Sequence, residues 1–191
     1  GLLVGVLREN KSGGASSIQT SLPARNIGLS GRFTYAYDGR YFAEANFGYN
    51  GSERFAKNER FGLFPSIGAG WMISEEKFWN QDLKNIINKL KLKGTYGLVG
   101  NDNIGAWNDR FFYMSEVNLN GSGANFSWGQ DFERNVGTID MIRYRNDKIK
   151  WEIAQKMNLG LEVGLFNIFD IQFDYFTEYR KNIFGERQTI P

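Results

Sequence analysis

Apolar and polar side chains alternate along most of this chain. Between residues 27 and 37 the odd positions carry Ile, Leu, Phe and Tyr, apart from Gly31, and the even positions are small or polar. Residues 41–49 repeat the pattern, with Tyr, Ala and Phe on the odd positions. Successive side chains point to opposite faces of a strand, so this period of two predicts two strands. The Asp38-Gly39-Arg40 segment between them predicts a hairpin, because Gly adopts positive φ at little cost.

The same alternation recurs in residues 60–73, 90–99, 151–165 and 169–180, and the apolar run in residues 1–9 also predicts a strand. The sequence therefore predicts an all-β protein with an antiparallel sheet of about seven strands. Pro65 predicts an irregularity, because Pro has no N–H to donate to a neighbouring strand. A tight turn is expected at residues 166–168. Several strands reach the ~9–11 residues that a bilayer-crossing strand needs, against ~5–6 in ordinary strands.

Two stretches break the alternation. In residues 74–89, Ser74 can cap a helix and Leu and Ile follow at helical spacing, so a short helical turn is expected near residues 75–88. Residues 100–148 form a long, polar and aromatic-rich connection, in which Asn101-Asp102-Asn103 and Gly121-Ser122-Gly123 predict turns. A connection of this length is usually functional.

The two faces of the predicted strands differ in charge. Across the six clearest strands the apolar face carries no Asp, Glu, Lys or Arg. The opposite face carries Arg32, Glu44, Arg60, Lys91, Lys93, Glu152, Lys156, Glu162, Asp170, Asp174, Glu178 and Arg180. A lipid-facing Arg or Lys costs ~2–4 kcal/mol at mid-bilayer, so this segregation fits a segment of a large transmembrane β-barrel. It equally fits a soluble β-sandwich, such as a glycan-binding module, whose apolar face is the core. Strand length and aromatics near the strand ends favour the barrel.

Composition removes several classes of function. The 191 residues include neither Cys nor His, so disulfides, the commonest metal ligands and the usual general base are missing. A net charge of +2 without a basic stripe argues against nucleic-acid binding. No stretch reaches the about 18 apolar residues of a transmembrane helix. Carboxylate pairs such as Glu152 and Glu162 lie on regular strands without a cleft, so no enzyme activity, cofactor or metal is predicted.

Candidate substrate-binding residues come from two places. The charged face contributes Arg32, Glu44, Asn46 and Arg60. The loops contribute Trp107, Phe111, Phe112, Tyr113 and Trp128, whose rings can stack on sugars or contact a partner. The competing interpretations are a hydrated polar wall for the first set and loop packing for the second. For residues 101–103, a turn is favoured over a Ca²⁺ site, because the EF-hand spacing is absent.

Several stretches resemble one family when they are read together and in order. They are residues 22–32, 41–55, 64–76, 92–101 and 150–152. The segment Phe64-Pro65-Ser66-Ile67-Gly68-Ala69-Gly70-Trp71 carries most of the resemblance. The family is the SusC/RagA-type TonB-dependent outer-membrane transporters, and the similarity covers most of the chain.

This resemblance implies that residues 1–191 are part of a barrel, from the C-terminal region of a longer transporter. The complete fold would have about 22 strands around a plug. The family imports glycans or peptides across the outer membrane of Gram-negative bacteria, with a SusD-like lipoprotein as lid and the TonB complex as energy source. On this basis Asp38-Gly39 is expected to be a periplasmic turn, the apolar face to contact outer-membrane lipid, and Gly51–Glu59 to begin an extracellular loop. The plug, the TonB box and the other strands are expected outside these residues.

Overall fold

A computed structural model describes residues 1–11, 13, 21–105, 110–132 and 134–185. These residues form nine strands: β1 (Leu2–Asn10), β2 (Ala24–Tyr37), β3 (Tyr41–Ser52), β4 (Phe61–Met72), β5 (Ile87–Asn101), β6 (Glu116–Trp128), β7 (Arg134–Arg143), β8 (Glu152–Leu165) and β9 (Phe169–Lys181). Between β4 and β5 lie a 3-10 helix (Ile73–Glu75) and a short helix α1 (Gln81–Ile86).

Seven of the strands make one antiparallel sheet in the order β1-β2-β3-β4-β5-β8-β9. These seven are the strands that the sequence predicts, and their long, regular pairing confirms the fold class. Strands β6 and β7 form a separate two-stranded hairpin inserted between β5 and β8. The turn predicted at Gly121-Ser122-Gly123 is therefore wrong, because these residues lie within β6.

The tight turns all lie at one end of the sheet, here called the turn end. Asp38 and Gly39 both have positive φ, as a tight hairpin with a right-handed twist requires. Phe166 and Asn167 adopt the same conformation between β8 and β9. The predicted hairpin and the predicted turn at residues 166–168 are both confirmed. The connection between β4 and β5 also lies at the turn end, and the connections after β1, β3 and β5 leave from the opposite end, here called the loop end.

The helical turn predicted near residues 75–88 is present, but its cap is a different residue. The side chain of Asn80 accepts a hydrogen bond from the Leu83 N–H (3.1 Å) and caps α1. Ser74 instead lies buried within the 3-10 helix, where no side-chain cap forms. The chain therefore needs two short helical pieces rather than one to pass from β4 to β5.

Glu76 ties this connection to the β2–β3 turn. It accepts hydrogen bonds from the Tyr41 hydroxyl (2.5 Å) and the Trp71 indole (2.9 Å), and it pairs with Arg40 at 3.1 Å. Donation by Tyr41 and Trp71, together with the positive charge of Arg40, lowers the pKa of Glu76 below its ordinary value. We call these four residues the turn-end cluster.

The apolar face of the sheet is the exposed one. Along β3 the odd positions 41–49 are exposed and the even positions are half-buried. The same is true along most of β4, and side chains such as Ile67 and Phe173 remain 63% and 64% exposed. A β-sandwich buries this face under a second sheet. No layer covers it within the described parts of the chain, so the sandwich alternative does not describe this fold.

The buried residues gather instead at the loop end. Phe55 is fully buried, and it packs with Phe64, Ile104, Phe112 and Trp151. The Trp151 ring centroid lies 5.2 Å from those of both Phe55 and Phe64. These five residues come from β4, the start of β8 and the long connections, and we call them the loop core. They fix the loops to the rim of the sheet.

The irregularity predicted at Pro65 lies where the loop core begins. Pairing of β4 with β5 starts at Ser66 opposite Gly97, directly after Pro65, whereas pairing with β3 continues past it. Phe64 occupies the space that opens there. A Cβ built on Gly100 would lie 2.0 Å from the Phe64 ring, so only glycine leaves room for it.

Candidate functional site

Three of the candidate residues meet on the polar face. Arg32 on β2 lies opposite Asn46 on β3 in the strand register. The Nη2 of Arg32 lies 2.6 Å from a carboxylate oxygen of Glu44, and the Asn46 amide donates to the other oxygen at 2.8 Å. Glu44 thus has both oxygens engaged, and the three side chains form one hydrogen-bonded group.

This group borders a cavity of about 790 Å³ on the polar face. Glu44, Asn46, Lys91, Lys93 and Lys156 are among the residues that line it. Thr95 and glycines such as Gly68 and Gly70 also line it. Its aromatic lining residues are Tyr35, Phe42 and Tyr96.

The charges around this cavity are largely paired. Glu162 on β8 lies 2.8 Å from the Lys89 ammonium and 3.1 Å from the Lys93 ammonium. Asp174 on β9 adds a second carboxylate 3.6 Å from Lys93. Lys91 lies 5.0 Å above the Phe42 ring, which supports it by a cation–π contact. The polar face therefore has cross-strand ion pairs rather than a single-sign field.

Arg60 does not join this group. It lies just before β4 at the loop end, where its carbonyl accepts hydrogen bonds from the Ser52 N–H (3.0 Å) and the Trp151 indole (3.2 Å). Its main chain therefore connects β3, β4 and β8 beside the loop core.

The loop aromatics divide by burial. Phe112 belongs to the loop core at 4% exposure, with the Arg143 guanidinium 4.5 Å from its ring centroid. Phe111 is 8% exposed and packs edge-on against Tyr113. Trp107 lies outside the described residues. Trp128 ends β6, and the description does not extend to its side chain.

Phe111 also lines a second cavity, of about 310 Å³, at the loop end. We call it the loop cleft. Its lining includes five cations, Arg8, Lys11, Arg25, Arg54 and Arg110, and one carboxylate, Glu53. The sequence pattern gave no sign of this cluster, because its members come from β1, β2 and three separate connections.

Residues 101–103 form the predicted turn. The Asn101 side chain accepts a hydrogen bond from the Asn103 N–H (3.0 Å), and the Asp102 carboxylate accepts one from Asn26 (3.0 Å). Both side chains are thus engaged, and the Asp102 bond ties the loop to β2. Across the described residues, no three acidic side chains are grouped as a metal ion would need.

No helix in the described parts of the chain is long and apolar enough to cross a membrane. No family model matches the sequence. Among curated proteins, the chain is 33% identical over 151 residues to the TonB-dependent receptor SusC of Bacteroides thetaiotaomicron, which covers 78% of the chain. It is 28% identical over 172 residues, or 88% of the chain, to the TonB-dependent receptor P3 of Formosa agariphila. The chain spans only 14% and 16% of these relatives.

Solved structures show the same fold. The RagAB peptide importer in its 'closed-closed' state matches with a TM-score of 0.64 at 22% identity, over 83% of this chain and 16% of that one. The 'open-open' state of the same importer matches with a TM-score of 0.61 at 24% identity, over 88% and 17%. The sequence and fold similarities therefore point to the same group of proteins.

Proposed function

Because this chain corresponds to a barrel segment of the SusC/RagA-type TonB-dependent transporters, we propose that it forms part of the wall of an outer-membrane nutrient importer in a Gram-negative bacterium. Residues 1–191 supply one arc of the barrel, and the plug and the remaining strands come from the rest of the protein. The polar face lines the interior, and the apolar face contacts lipid.

The exposed apolar face is the observation that carries this proposal. A single-layer sheet with large apolar side chains on its exposed face needs an apolar cover, which the described residues do not supply and which lipid supplies in an outer-membrane barrel. The tight turns between β2 and β3 and between β8 and β9 agree with the short periplasmic turns of outer-membrane barrels, although the β4–β5 connection at the same end is longer. The turn end is then periplasmic and the loop end extracellular.

The cargo, in this proposal, is an oligosaccharide or a peptide, and a SusD-like lipoprotein covers the loop end. The similarity to RagAB, a peptide importer, supports the peptide alternative. Coupling to the TonB complex belongs to the part of the protein outside these residues. Arg32, Glu44 and Asn46 would line the passage, with Arg60 and the loop aromatics at its entrance.

The carboxylates on the polar face support a structural rather than a catalytic role. Glu152 pairs with Arg180 at 3.5 Å and accepts from Asn101, while Glu162 is held between Lys89 and Lys93. We accordingly propose no reaction for this wall.

Charge placed on the apolar face tests the proposal. In the complete protein, Ala45→Arg puts a guanidinium into lipid at a cost of ~2–4 kcal/mol, so we expect little protein in the outer membrane. The matched variant Asn46→Arg adds the same side chain to the neighbouring position on the polar face and should assemble normally. Outer-membrane yield and resistance to extraction without detergent are measured. Normal yield of an Ala45→Arg protein that is soluble without detergent would refute the proposal.

A further inference from the structure

Among the described residues, and with Arg110 left aside, the loop cleft has an excess of positive charge. Arg8, Lys11, Arg25 and Arg54 stand against three nearby carboxylates: Glu53 in the lining, Glu9 beside it and Asp102, which accepts a hydrogen bond from Asn26. Glu9 pairs with Lys11 at 3.0 Å and with Arg25 at 3.6 Å, and Arg25 lies 4.0 Å from Glu53. Within the described residues, no carboxylate pairs with Arg8 or Arg54.

Arg54 is already held in place. Its Nη1 donates to the carbonyl oxygens of Ile104 (2.8 Å) and Asp102 (3.4 Å) and to the Asn103 amide oxygen (3.4 Å). Only one edge of the guanidinium is used, and its acceptors carry no full charge. A planar guanidinium fixed in this way keeps its other N–H groups for a ligand carboxylate, which it binds with charge-assisted hydrogen bonds.

The other lining groups suit a sugar. Asn10 and Asn26 place amides on the wall, and Leu22 and Ala24 add only a small apolar area. Phe111 closes one side but is nearly buried, so the cleft has no deep apolar pocket for a peptide side chain. A volume of about 310 Å³ lies at the lower limit of ligand pockets and fits a single sugar unit.

We propose that the loop cleft binds the carboxylate of an acidic oligosaccharide, and that this cleft selects acidic cargo at the extracellular mouth of the barrel. The inference rests on the proposed function, because it takes the loop end as the side from which cargo enters. Arg8 supplies an exposed cation at the edge of the cleft, and Arg54 supplies one that is held by hydrogen bonds.

Binding to the complete protein in detergent tests this assignment. The probes are trigalacturonate, its fully methyl-esterified form and triglutamate, each titrated by calorimetry at low and high salt. We expect trigalacturonate to bind and the neutral ester to bind at least about tenfold more weakly, because the ester keeps the shape and loses the charge. Affinity for the acidic sugar should fall as salt rises.

Variants locate the binding. Arg8→Gln should weaken trigalacturonate binding several-fold, and Arg8→Gln with Arg54→Gln by about tenfold or more. Lys57→Gln removes an exposed cation from the same connection as Arg54 but outside the cleft, and should leave binding unchanged. Arg8 is exposed on β1 and pairs with no carboxylate in the described chain, so Arg8→Gln should fold and remains informative even if the Arg54 substitution prevents assembly.

Three results would overturn the inference. They are equal binding of acid and ester, unchanged binding in the Arg8→Gln variant, and binding of triglutamate in preference to trigalacturonate. A protein that assembles in the outer membrane and imports a neutral cargo, but shows no preference for the acid, overturns this inference and leaves the proposed function intact. Failure of the unsubstituted complete protein to assemble in the outer membrane overturns the proposed function itself.

Discussion

Single glycines decide where large side chains fit at the loop end. Phe64 reaches the loop core because Gly62 and Gly100 present no Cβ beneath its ring. A methyl group at either position would overlap the ring, because the distance from its Cβ to the nearest Phe64 ring atom would be 2.4 Å at Gly62 and 2.0 Å at Gly100. Overlap of this kind displaces the aromatic ring, since the sheet backbone has little freedom to move.

Gly100→Ala is therefore expected to destabilise the complete protein by ~1–3 kcal/mol through overpacking. The measurement is the Tm of the detergent-purified protein. Gly5→Ala is the matched control, because nothing lies within 4 Å of a Cβ built there. Combining Gly100→Ala with Phe64→Leu should cost less than the sum of the two single changes, because the shorter side chain relieves the overlap. Strict additivity would show that the ring is not the obstacle.

Glu76 predicts how the turn end responds to acid. Its lowered pKa means that the folded state favours the carboxylate, so the stabilisation is complete above the ordinary carboxyl pKa. It is lost as the pH falls through the lower folded-state pKa, when the acceptor for Tyr41, Trp71 and Arg40 is protonated.

Hydrogen exchange of residues 73–76 measures this response. We expect protection in the wild type to fall on acidification and the Glu76→Gln variant to be weakly protected at every pH. Glu75→Gln is the control, because Glu75 is exposed and its ion pair within the described residues is with Lys84 at 3.2 Å. An unchanged acid response in Glu76→Gln would exclude Glu76 as the titrating group.

At the scale of elements, the loop core is the main anchor of the long connections. Phe55 is 0% exposed, whereas Phe61 a few residues later is 48% exposed. Phe55→Ala should cost ~3–5 kcal/mol of loop-end stability, because it leaves a cavity among packed aromatic rings. Limited proteolysis of the complete protein should then cut the connections at the loop end faster. Phe61→Ala should leave the cleavage rate close to that of the wild type, and equal rates for all three proteins would contradict the anchoring role.

The same elements show what sequence can predict. Six of the seven strands of the main sheet follow from local alternation, because each has one apolar side and one polar side, and β1 follows from its apolar run. Strands β6 and β7 escape prediction, since glycines at positions 121 and 123 interrupt the period and the pairing shifts register there. The loop core could not be predicted from the sequence for another reason. Phe55 and Trp151 are far apart in sequence, and only the folded sheet brings them together. Of the candidate residues, Arg32, Glu44 and Asn46 were predictable as neighbours from strand register, whereas the loop cleft was not.

At the scale of the whole molecule, the sheet is open. Strands β1 and β9 each have one edge without a pairing strand in the described chain, and the exposed face is apolar. Open edges of this kind pair with other chains. Expressed alone, residues 1–191 should aggregate in plain buffer and become dispersed only with detergent. Size-exclusion chromatography measures this, and a stable monodisperse monomer without detergent would contradict it.

The hydrogen bond from the Trp151 indole to the Arg60 carbonyl spans 91 positions of sequence. Contacts of such long range form late, because a large loop must close before they are made. The strands from β1 to β5 can add to one another in order, each beside the last. Phe55 nevertheless stays uncovered until β8 arrives and brings Trp151 to the rim. The loop core therefore packs only after strands β1 to β5 have paired. An assembly intermediate that stops before β8 is added would expose the aromatic side chains of the loop core to folding factors.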